Sequence, residues 1–190
     1  MAVFLYNDNM NKAKLINKNF LTENVVELTF QPENEVKFIP GQYLSIKIKY
    51  DESKPPIFRA YSFASAPRED NVFNICVKVI ENGRASNWLN SLEVGASIEF
   101  MGPMGEFTFK QSNKEALFLA TGTGVSTFKS MAENELKNGN KQKMHLILGT
   151  RYMTNIFYKE QFEKLAKQYP NFKFTLTLSR PESLDWKGTV

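Results

Sequence analysis

The sequence predicts two domains, an antiparallel β domain over residues 1–111 and an incomplete doubly wound α/β domain over residues 112–190. The first half consists of short segments rich in β-branched and aromatic residues, separated by turn-forming pairs. From about Lys114, apolar runs alternate with helical patterns, which is the order of a doubly wound domain. The 190 residues are 42% hydrophobic and 23% charged, an ordinary globular composition.

Four segments of the first half have the composition of strands: Val25–Phe30, Tyr43–Lys49, Val72–Ile80 and Ser97–Met101. They are separated by turn-forming pairs: Pro40-Gly41, Pro55-Pro56, Asn82-Gly83 and Gly102-Pro103. In Tyr43–Lys49, apolar residues alternate with Ser45, Lys47 and Lys49, so one face is predicted to be buried and the other exposed. Several short strands at this spacing predict an antiparallel barrel or sandwich.

The second half begins with Ala116–Ala120, a continuous apolar run that predicts a strand buried on both faces. The later elements are a helix over about 126–137, a strand at Met144–Leu148, a helix at Tyr158–Gln168 and a strand at Phe172–Leu178. This strand–helix alternation is the beginning of a doubly wound sheet.

Composition excludes several classes of function. The net charge of +4 is spread along the chain without the basic run of a nucleic-acid-binding arm. Cys76 is the single cysteine, so a disulfide within the chain and a thiolate-ligated zinc or iron–sulfur centre are excluded, and one histidine, His145, makes no metal site. No apolar run approaches the ~20 residues of a membrane span. The polar segment Met1–Lys14 does not resemble a signal peptide, which predicts a cytoplasmic protein.

Three clusters carry candidate chemistry, and the first is Arg59-Ala60-Tyr61-Ser62. Alternation along a strand places Arg59 and Tyr61 on one face and Ala60 and Ser62 on the other, unless a bend re-aims one of them. Arginine offers a planar fork for a phosphate, tyrosine an aromatic ring, and serine a hydroxyl for a ring nitrogen. The alternative is a surface charge beside a strand.

The second cluster is Gly83-Arg84-Ala85-Ser86, which follows a strand and precedes the helix-like segment 87–92. Free backbone N–H groups at the start of a helix bind anions. The alternative is a simple turn at Asn82-Gly83 followed by a helix that Ser86 caps.

The third cluster, Thr121-Gly122-Thr123-Gly124-Val125-Ser126, lies between the apolar strand and its helix. Glycines in this position let the backbone approach a pyrophosphate, whose charge the helix N-terminus favours. The third glycine of the full dinucleotide fingerprint is absent, but the strand–turn–helix context favours a nucleotide-binding loop.

The order and spacing of these clusters resemble the ferredoxin–NADP reductase family. The stretches that carry the resemblance are PGQY at Pro40–Tyr43, RAYSFAS at Arg59–Ser65, GRAS at Gly83–Ser86, GPMGEF at Gly102–Phe107, LATGTGVS at Leu119–Ser126 and LSRP at Leu178–Pro181. The resemblance spans nearly the whole chain and implies a six-stranded flavin-binding barrel followed by an NAD(P)-binding α/β domain.

The resemblance also implies roles for the flavin-binding residues. Arg59 would hold the flavin phosphate, with Ala60 beside it. Tyr61 would lie against the isoalloxazine, and Ser62 would hydrogen-bond near the reactive N5, so these two are the candidate catalytic residues. Further flavin contacts are implied for Val77, Lys78, Gly83, Arg84, Ala85 and Ser86.

For the nucleotide, the resemblance implies that Thr121–Ser126 binds the pyrophosphate and that Thr150-Arg151 and Ser179-Arg180 contact the adenosine side. An arginine after serine at the end of the third strand suits a 2′-phosphate, which favours NADPH over NADH. The implied flavin is FAD rather than FMN. The implied activity passes hydride from NAD(P)H to the flavin and electrons onward to a protein acceptor such as ferredoxin or flavodoxin.

The chain departs from the family in two places. Thr127 stands where relatives often carry proline, a small change early in a helix. The chain also ends after the third predicted strand, before the family's nicotinamide-site Cys-Gly segment. We therefore expect a fragment of a longer chain, a site completed by another chain, or a flavin-binding protein without turnover. With only three strands supplied by this sequence, Ala116–Ala120 would form a sheet edge, which favours pairing with another chain or self-association.

Overall fold

The computed structural model of the chain describes residues 10–181 and Trp186. The first nine residues of the predicted polar N-terminal segment lie outside the described residues. The stretch that follows Trp186, on which the prediction about the end of the chain depends, also lies outside them.

The first half is a barrel of six antiparallel strands, as the sequence and the resemblance predicted. The strands are β1 (Asn11–Thr22), β2 (Val25–Pro32), β3 (Tyr43–Ile48), β4 (Ile57–Ser62), β5 (Phe73–Lys78) and β6 (Ser97–Met104). They are arranged in the order β4-β3-β6-β1-β2-β5. The two outer strands meet where Phe63, just after β4, pairs with Ile75 of β5, and this bridge closes the sheet.

The interior of the barrel is filled by apolar side chains. Phe63, Phe73 and Phe100 are fully buried and pack edge to face, with ring centroids 5.3 and 5.6 Å apart along the series. Helix α1 (Arg84–Ser91) follows β5 and inserts Ala85 and Leu89 into the same core. The helix therefore covers one open end of the barrel, with its first residues close to β5.

The second half is a parallel three-stranded sheet with helices on one face. Its strands are β7 (Ala116–Thr121), β8 (Met144–Thr150) and β9 (Phe172–Leu178), in the order β7-β8-β9. Helix α2 (Val125–Lys137) connects β7 to β8, and α3 (Lys159–Gln168) connects β8 to β9. In the part of the chain that the structure describes, none of these helices is long and apolar enough to cross a bilayer.

Strand β7 corrects one prediction, because it is covered on one face only among the described residues. Phe118 and Ala120 are buried in the core shared with α2, as predicted. Leu117 and Leu119 point to the opposite face, where they are 58% and 63% exposed. β7 is also an outer strand of the described sheet, because β8 lies in the middle. The apolar run therefore forms an edge strand with two exposed leucines.

Polar contacts join the two halves. From α2, Lys129 Nζ donates to the Ala64 carbonyl at 3.1 Å, and Ser130 Oγ donates to the Ser65 carbonyl at 2.7 Å. The hydroxyl of Tyr158, at the start of α3, donates a hydrogen bond to the Glu27 carboxylate on β2. Lys129, Ser130 and Tyr158 are themselves buried, so these bonds form away from competing water and hold the two halves in one arrangement.

Candidate functional site

A cavity of about 600 Å³ opens where the two outer strands of the barrel separate. β4 and β5 touch at the Phe63–Ile75 bridge and diverge beyond it, so each strand leaves an unpaired edge toward the cavity. The starts of α1 and α2 complete its walls. The cavity is lined by Ile57, Arg59, Ala60, Tyr61, Ser62, Cys76, Lys78, Ile80, Gly83, Arg84, Ala85, Ser86, Thr123, Gly124, Ser126 and Thr127.

All four residues of the first predicted cluster line this cavity. Arg59 pairs with Ile46, and Tyr61 pairs with Leu44, two residues of the barrel core, so Arg59 and Tyr61 lie on the same face as predicted. Ala60 and Ser62 lie on the other face. Both pairs reach the cavity because it runs along the edge of β4.

Arg59 and Tyr61 differ in their surroundings. Arg59 is exposed, and one arm of its guanidinium donates to the Phe58 carbonyl at 2.7 Å. Tyr61 packs against the barrel core. Burial raises the pKa of Tyr61 above its usual value, against a smaller opposite effect of the Arg59 charge. Tyr61 therefore presents a neutral phenol ring to the cavity at physiological pH.

The second cluster forms the turn into α1 and its first residues. Asn82 has a φ of 59°, and the Gly83 N–H donates to the Ile80 carbonyl at 2.9 Å, which confirms the turn. The alternative interpretation of Ser86 as the helix cap is wrong, because α1 already begins at Arg84. The Ser86 hydroxyl accepts from the Ile80 N–H at 3.2 Å and donates to the Gly83 carbonyl at 3.3 Å. The hydroxyl is thus engaged in holding the turn.

The third cluster is a single 3₁₀ turn over Gly122–Gly124 that runs directly into α2. A Cβ built on Gly122 or on Gly124 would meet nothing within 4 Å, so open space lies beside the backbone at both positions. Ser126 Oγ donates back to the Thr123 carbonyl at 2.8 Å. The turn therefore exposes the backbone at the start of α2, as a loop that contacts a bulky anion must.

A second cavity, of about 760 Å³, lies at the carboxyl ends of β7, β8 and β9. The hairpin between β1 and β2 forms its opposite wall. It is lined by Thr22, Asn24, Val25, Lys78, Thr121, Gly122, Thr123, Gly149, Thr150, Arg151, Tyr152, Asn155, Phe157, Thr177 and Ser179. Ligands of open parallel sheets bind at this end of the strands.

The two cavities are adjacent, because Lys78 and Thr123 line both. Arg59, Lys78 and Arg84 line the first cavity, and Lys78 and Arg151 line the second, while no carboxylate lines either one in the described part of the chain. Cationic side chains and two helix N-termini suit phosphate groups, and Tyr61 and Ser62 suit a planar heterocycle. The residues present therefore fit two phosphate-bearing nucleotides bound side by side.

Three predicted site residues do not line either cavity. Val77 is 1% exposed and belongs to the barrel core, and Val125 is fully buried in the core beneath α2. Only their backbone atoms are left for a ligand. Arg180 is exposed outside the lining of the second cavity, where its N–H donates to the Arg151 carbonyl at 2.9 Å.

Several lining residues were not named from the sequence. Ile57 and Ile80 extend the first cavity beyond the arginine and glycine clusters. Gly149 and Thr177 lie near the carboxyl ends of β8 and β9, where the strand-end rule would have found them. Thr22 and Asn24 belong to the barrel hairpin and reach the second cavity through domain packing, for which the sequence carries no local signal.

The single cysteine lines the first cavity but is not a nucleophile. Cys76 is buried, and burial raises the pKa of its thiol to about 12, against the smaller opposite effect of a hydrogen bond with Tyr158. His145, the single histidine, lies 2.9 Å from the Thr175 hydroxyl on the neighbouring strand, which is a structural contact. Among residues 10–181 and Trp186, no group of three His, Cys, Asp or Glu side chains could hold a metal ion.

Comparison with known protein families identifies the class of protein to which this chain belongs. Residues 12–109 match the oxidoreductase FAD-binding domain family, and residues 118–190 match the oxidoreductase NAD-binding domain family. The first cavity lies mainly within the first match, and the carboxyl ends of the parallel strands lie within the second. The fold and the two matches place the chain among oxidoreductases that combine an FAD-binding domain with an NAD-binding domain.

Comparison with individual proteins identifies more specific relatives within this class. The chain is 33% identical over 180 residues to ferredoxin–NADP reductase B of Sorangium cellulosum, covering 93% of this chain and 72% of that protein. It is 29% identical over 180 residues to the phenol hydroxylase P5 protein of Acinetobacter pittii, covering 93% of this chain and 50% of the relative. The ferredoxin–NADP⁺ reductase of Plasmodium falciparum shares the fold, with a TM-score of 0.79 at 24% identity, covering 95% of this chain and 76% of that one.

The chain belongs to the ferredoxin–NADP reductase family of flavin-dependent oxidoreductases. It spans about half of the length of some curated relatives that it matches, such as the phenol hydroxylase P5 protein.

Proposed function

We propose that this protein transfers electrons between NAD(P)H and a protein acceptor through bound FAD. The adjacency of the two cavities carries the proposal, because Lys78 and Thr123 belong to the walls of both. Ligands bound in the two cavities would be neighbours, as direct hydride transfer requires. When bound, FAD supplies the redox chemistry that side chains lack.

In the first cavity, we assign the protein's part to binding and orientation. Arg59 would hold a phosphate by its exposed guanidinium, together with the backbone N–H groups at the start of α1. Tyr61 would lie against the flavin ring, and Ser62 would donate a hydrogen bond near the reactive nitrogen. Both residues lie at the end of β4 that is closest to the Phe63–Ile75 bridge.

In the second cavity, the turn of Gly122–Gly124 would bind the pyrophosphate of the nucleotide. Thr150, Arg151 and Ser179 line the same cavity and would contact the adenosine side. Arg151 is the arginine within this lining, and a 2′-phosphate is the anion that its guanidinium would recognise. NADPH is therefore the proposed donor in preference to NADH.

The acceptor is proposed to be a redox protein such as ferredoxin or flavodoxin. The relative from Sorangium cellulosum is named a ferredoxin–NADP reductase, and one from Pseudomonas putida is named an electron transfer component of toluate 1,2-dioxygenase. A net charge of +4 would attract an acidic partner. A cytoplasmic location, which the sequence predicted, stays a prediction that cell fractionation would test.

Anaerobic titration of the FAD-loaded protein tests the proposal. We expect NADPH to bleach the flavin absorption band and Arg151→Ala to reduce the efficiency with NADPH by about 10- to 100-fold, since a hydrogen bond to a charged group contributes ~1.5–3 kcal/mol. The same variant should change the efficiency with NADH by only a few-fold, because NADH lacks the 2′-phosphate. Stopped-flow reduction with each nucleotide measures both.

Arg180→Ala is the matched control, because Arg180 belongs to the predicted pair of arginines but does not line the cavity. An NADPH defect in Arg180→Ala with none in Arg151→Ala would overturn the assignment of Arg151. Flavin that binds but is reduced by neither nucleotide would favour a flavin-binding electron-transfer subunit that lacks its own complete nicotinamide site. A protein that takes up no flavin would remove the proposal.

Self-association through β7 is also proposed, supported by the exposure of Leu117 and Leu119 on this outer strand of the described sheet. We expect wild-type protein to sediment as a dimer or larger species, and Leu119→Lys to shift it toward the monomer. A wild-type monomer at all concentrations in sedimentation velocity would exclude this interface.

A further inference from the structure

We propose that Tyr158 is a positioning residue for electron transfer, whose hydroxyl fixes the nucleotide-binding half against the barrel at a point between the two cavities. Tyr158, Glu27 and Cys76 are called the hydroxyl triad below. The inference rests on the proposed function, since its kinetic consequence requires a flavin in the first cavity and a nucleotide in the second.

The barrel side of the triad is a pair of residues on neighbouring strands. Glu27 of β2 is paired directly with Cys76 of β5. The next pair along, Val26 and Val77, points into the barrel core, so Glu27 and Cys76 lie on the outer face of the barrel. The Tyr158 hydroxyl donates to the Glu27 carboxylate, and a second hydrogen bond joins it to the Cys76 thiol. One hydroxyl of the nucleotide-binding half therefore contacts two adjacent strands of the barrel.

The triad also lies beside the reactive end of the first cavity. Beyond the bridge between β4 and β5, Ser62 and Cys76 are the next residues on the two strands. Both residues line the first cavity. Ser62 is the residue assigned above to the reactive nitrogen of the flavin, so the triad contacts the cavity wall close to the site of the chemistry.

The wall of the second cavity is one residue away from Tyr158 along the chain. Phe157 lines that cavity, and α3 begins directly after Tyr158, whose carbonyl accepts from the Phe162 N–H at 3.0 Å. Tyr158 has a φ of 60°, a left-handed conformation that a bulky residue keeps only where the surrounding structure fixes it. The backbone of Tyr158 is therefore held in place between the walls of the two cavities.

The side chain of Tyr158 is held by its buried surroundings. Tyr158 is 3% exposed, and Lys129 Nζ lies 5.1 Å from the centre of its ring. Lys129 belongs to α2, the helix that follows the glycine turn, and forms an ion pair with Glu133 at 2.9 Å. Burial raises the pKa of the Tyr158 hydroxyl, so it stays protonated and remains a donor to Glu27 at physiological pH.

Loss of the hydroxyl should change the spacing of the cavities without changing the groups that bind the ligands. Neither Tyr158 nor Glu27 belongs to the described lining of either cavity, so FAD and NADPH would keep their direct contacts. Hydride transfer depends steeply on geometry, since a misplacement of about 1 Å can slow a reaction by about 100-fold. The expected signature is therefore a slower transfer step with unchanged affinities.

Stopped-flow reduction of the FAD-loaded protein measures this signature. We expect Tyr158→Phe, which keeps the ring but removes the hydroxyl, to slow flavin reduction at saturating NADPH by about tenfold or more. Its affinities for FAD and NADPH should stay within about twofold of wild type. Glu27→Leu breaks the same bond from the barrel side, so it should have the same effect, and combining the two substitutions should add little. Glu27→Gln keeps a carbonyl acceptor and should retain most of the rate.

A distance measurement on the apoprotein tests the triad without the reaction. The single native cysteine is buried, so spin labels attach selectively to the cysteines of Lys49→Cys, beside β3, and Lys167→Cys, on α3, two exposed positions. We expect a narrow distribution of label distances in the otherwise wild-type protein and a broader or shifted one when Tyr158→Phe is added.

Tyr169→Phe is the matched control, because the Tyr169 hydroxyl accepts from Gln168 within the same half and should leave the rate and the label distances unchanged. A wild-type rate and wild-type label distances in Tyr158→Phe would overturn the inference, and so would equal losses in Tyr158→Phe and Tyr169→Phe. Weaker FAD binding at unchanged label distances would also overturn it and assign the hydroxyl to the flavin cavity through Cys76. Wild-type flavin that neither nucleotide reduces would remove the proposed function and with it the kinetic role of Tyr158, whereas failure of the triad alone would leave wild-type reduction intact.

Discussion

Gly41→Ala is expected to lower the free energy of unfolding by about 2–5 kcal/mol, the sum of the cost of placing alanine in a left-handed backbone conformation and the cost of overpacking. Gly41 has a φ of +103°, a conformation that alanine rarely adopts. A Cβ at this position would lie 1.9 Å from the Phe107 carbonyl oxygen and 2.4 Å from Met131 Cε. The Met131 side chain could move, but the Phe107 carbonyl belongs to the backbone that leads from the barrel to β7. Thermal unfolding followed by circular dichroism would measure the loss.

Gly95→Ala is the matched control. Gly95 has the same φ of +103°, but a Cβ there would meet only Lys14 Cε at 3.9 Å. Its cost should be about 1–2 kcal/mol, the backbone contribution alone. Equal losses in the two variants would show that the close approach of Gly41 to Phe107 and Met131 is not important for stability.

The barrel was predictable where strands alternate clearly and difficult where they do not. β3 alternates strictly between buried and half-buried residues, and its predicted bounds differ from the observed ones by a single residue. β1 was not predicted, because only Ala13 and Leu15 of its 12 residues are buried and its other apolar residues do not alternate regularly with polar ones. Its pairing with β2 and β6 depends on contacts distant in sequence.

The burial of β7 shows a second limit of prediction from the sequence pattern. Continuous apolar runs indicate strands buried on both faces, but Leu117 and Leu119 are exposed in the described part of the chain. The pattern of a strand reports which faces are apolar. It does not report which element covers each face, and both described helices connected to this sheet pack on the side of Phe118.

The residues of the candidate site that belong to sequence motifs were predictable, and the residues that lie between those motifs were not. Arg59, Gly83 and Gly124 lie on three separate stretches, each of which the sequence identified, and all three line one cavity. Ile57 and Ile80 carry no motif, because an isoleucine at a strand end looks the same whether it packs in a core or lines a cavity. The separation of β4 from β5, which no local pattern encodes, decides between the two.

Arg59→Ala is expected to weaken FAD binding by about 10- to 100-fold. Arg59 supplies the guanidinium of the RAYS stretch, and its exposed side chain donates a hydrogen bond to the Phe58 carbonyl at 2.7 Å. Loss of a charge-assisted hydrogen bond to a phosphate costs ~1.5–3 kcal/mol, and each 1.4 kcal/mol is about tenfold in affinity. Riboflavin has no phosphate, so its affinity should change little. Fluorescence titration of the apoprotein measures both ligands.

Arg68→Ala is the control for charge. Arg68 is exposed and forms an ion pair with Asp70 at 2.6 Å outside the cavity, so its removal lowers the net charge by the same amount without touching the site. If both variants weakened FAD binding equally, and high salt removed the effect, the long-range field would explain it rather than a phosphate contact. A loss confined to Arg59→Ala and to phosphorylated flavins would instead assign the phosphate to Arg59. Arg59→Lys should then recover only part of the affinity, because an ammonium group cannot reproduce the two-pronged contact of a guanidinium.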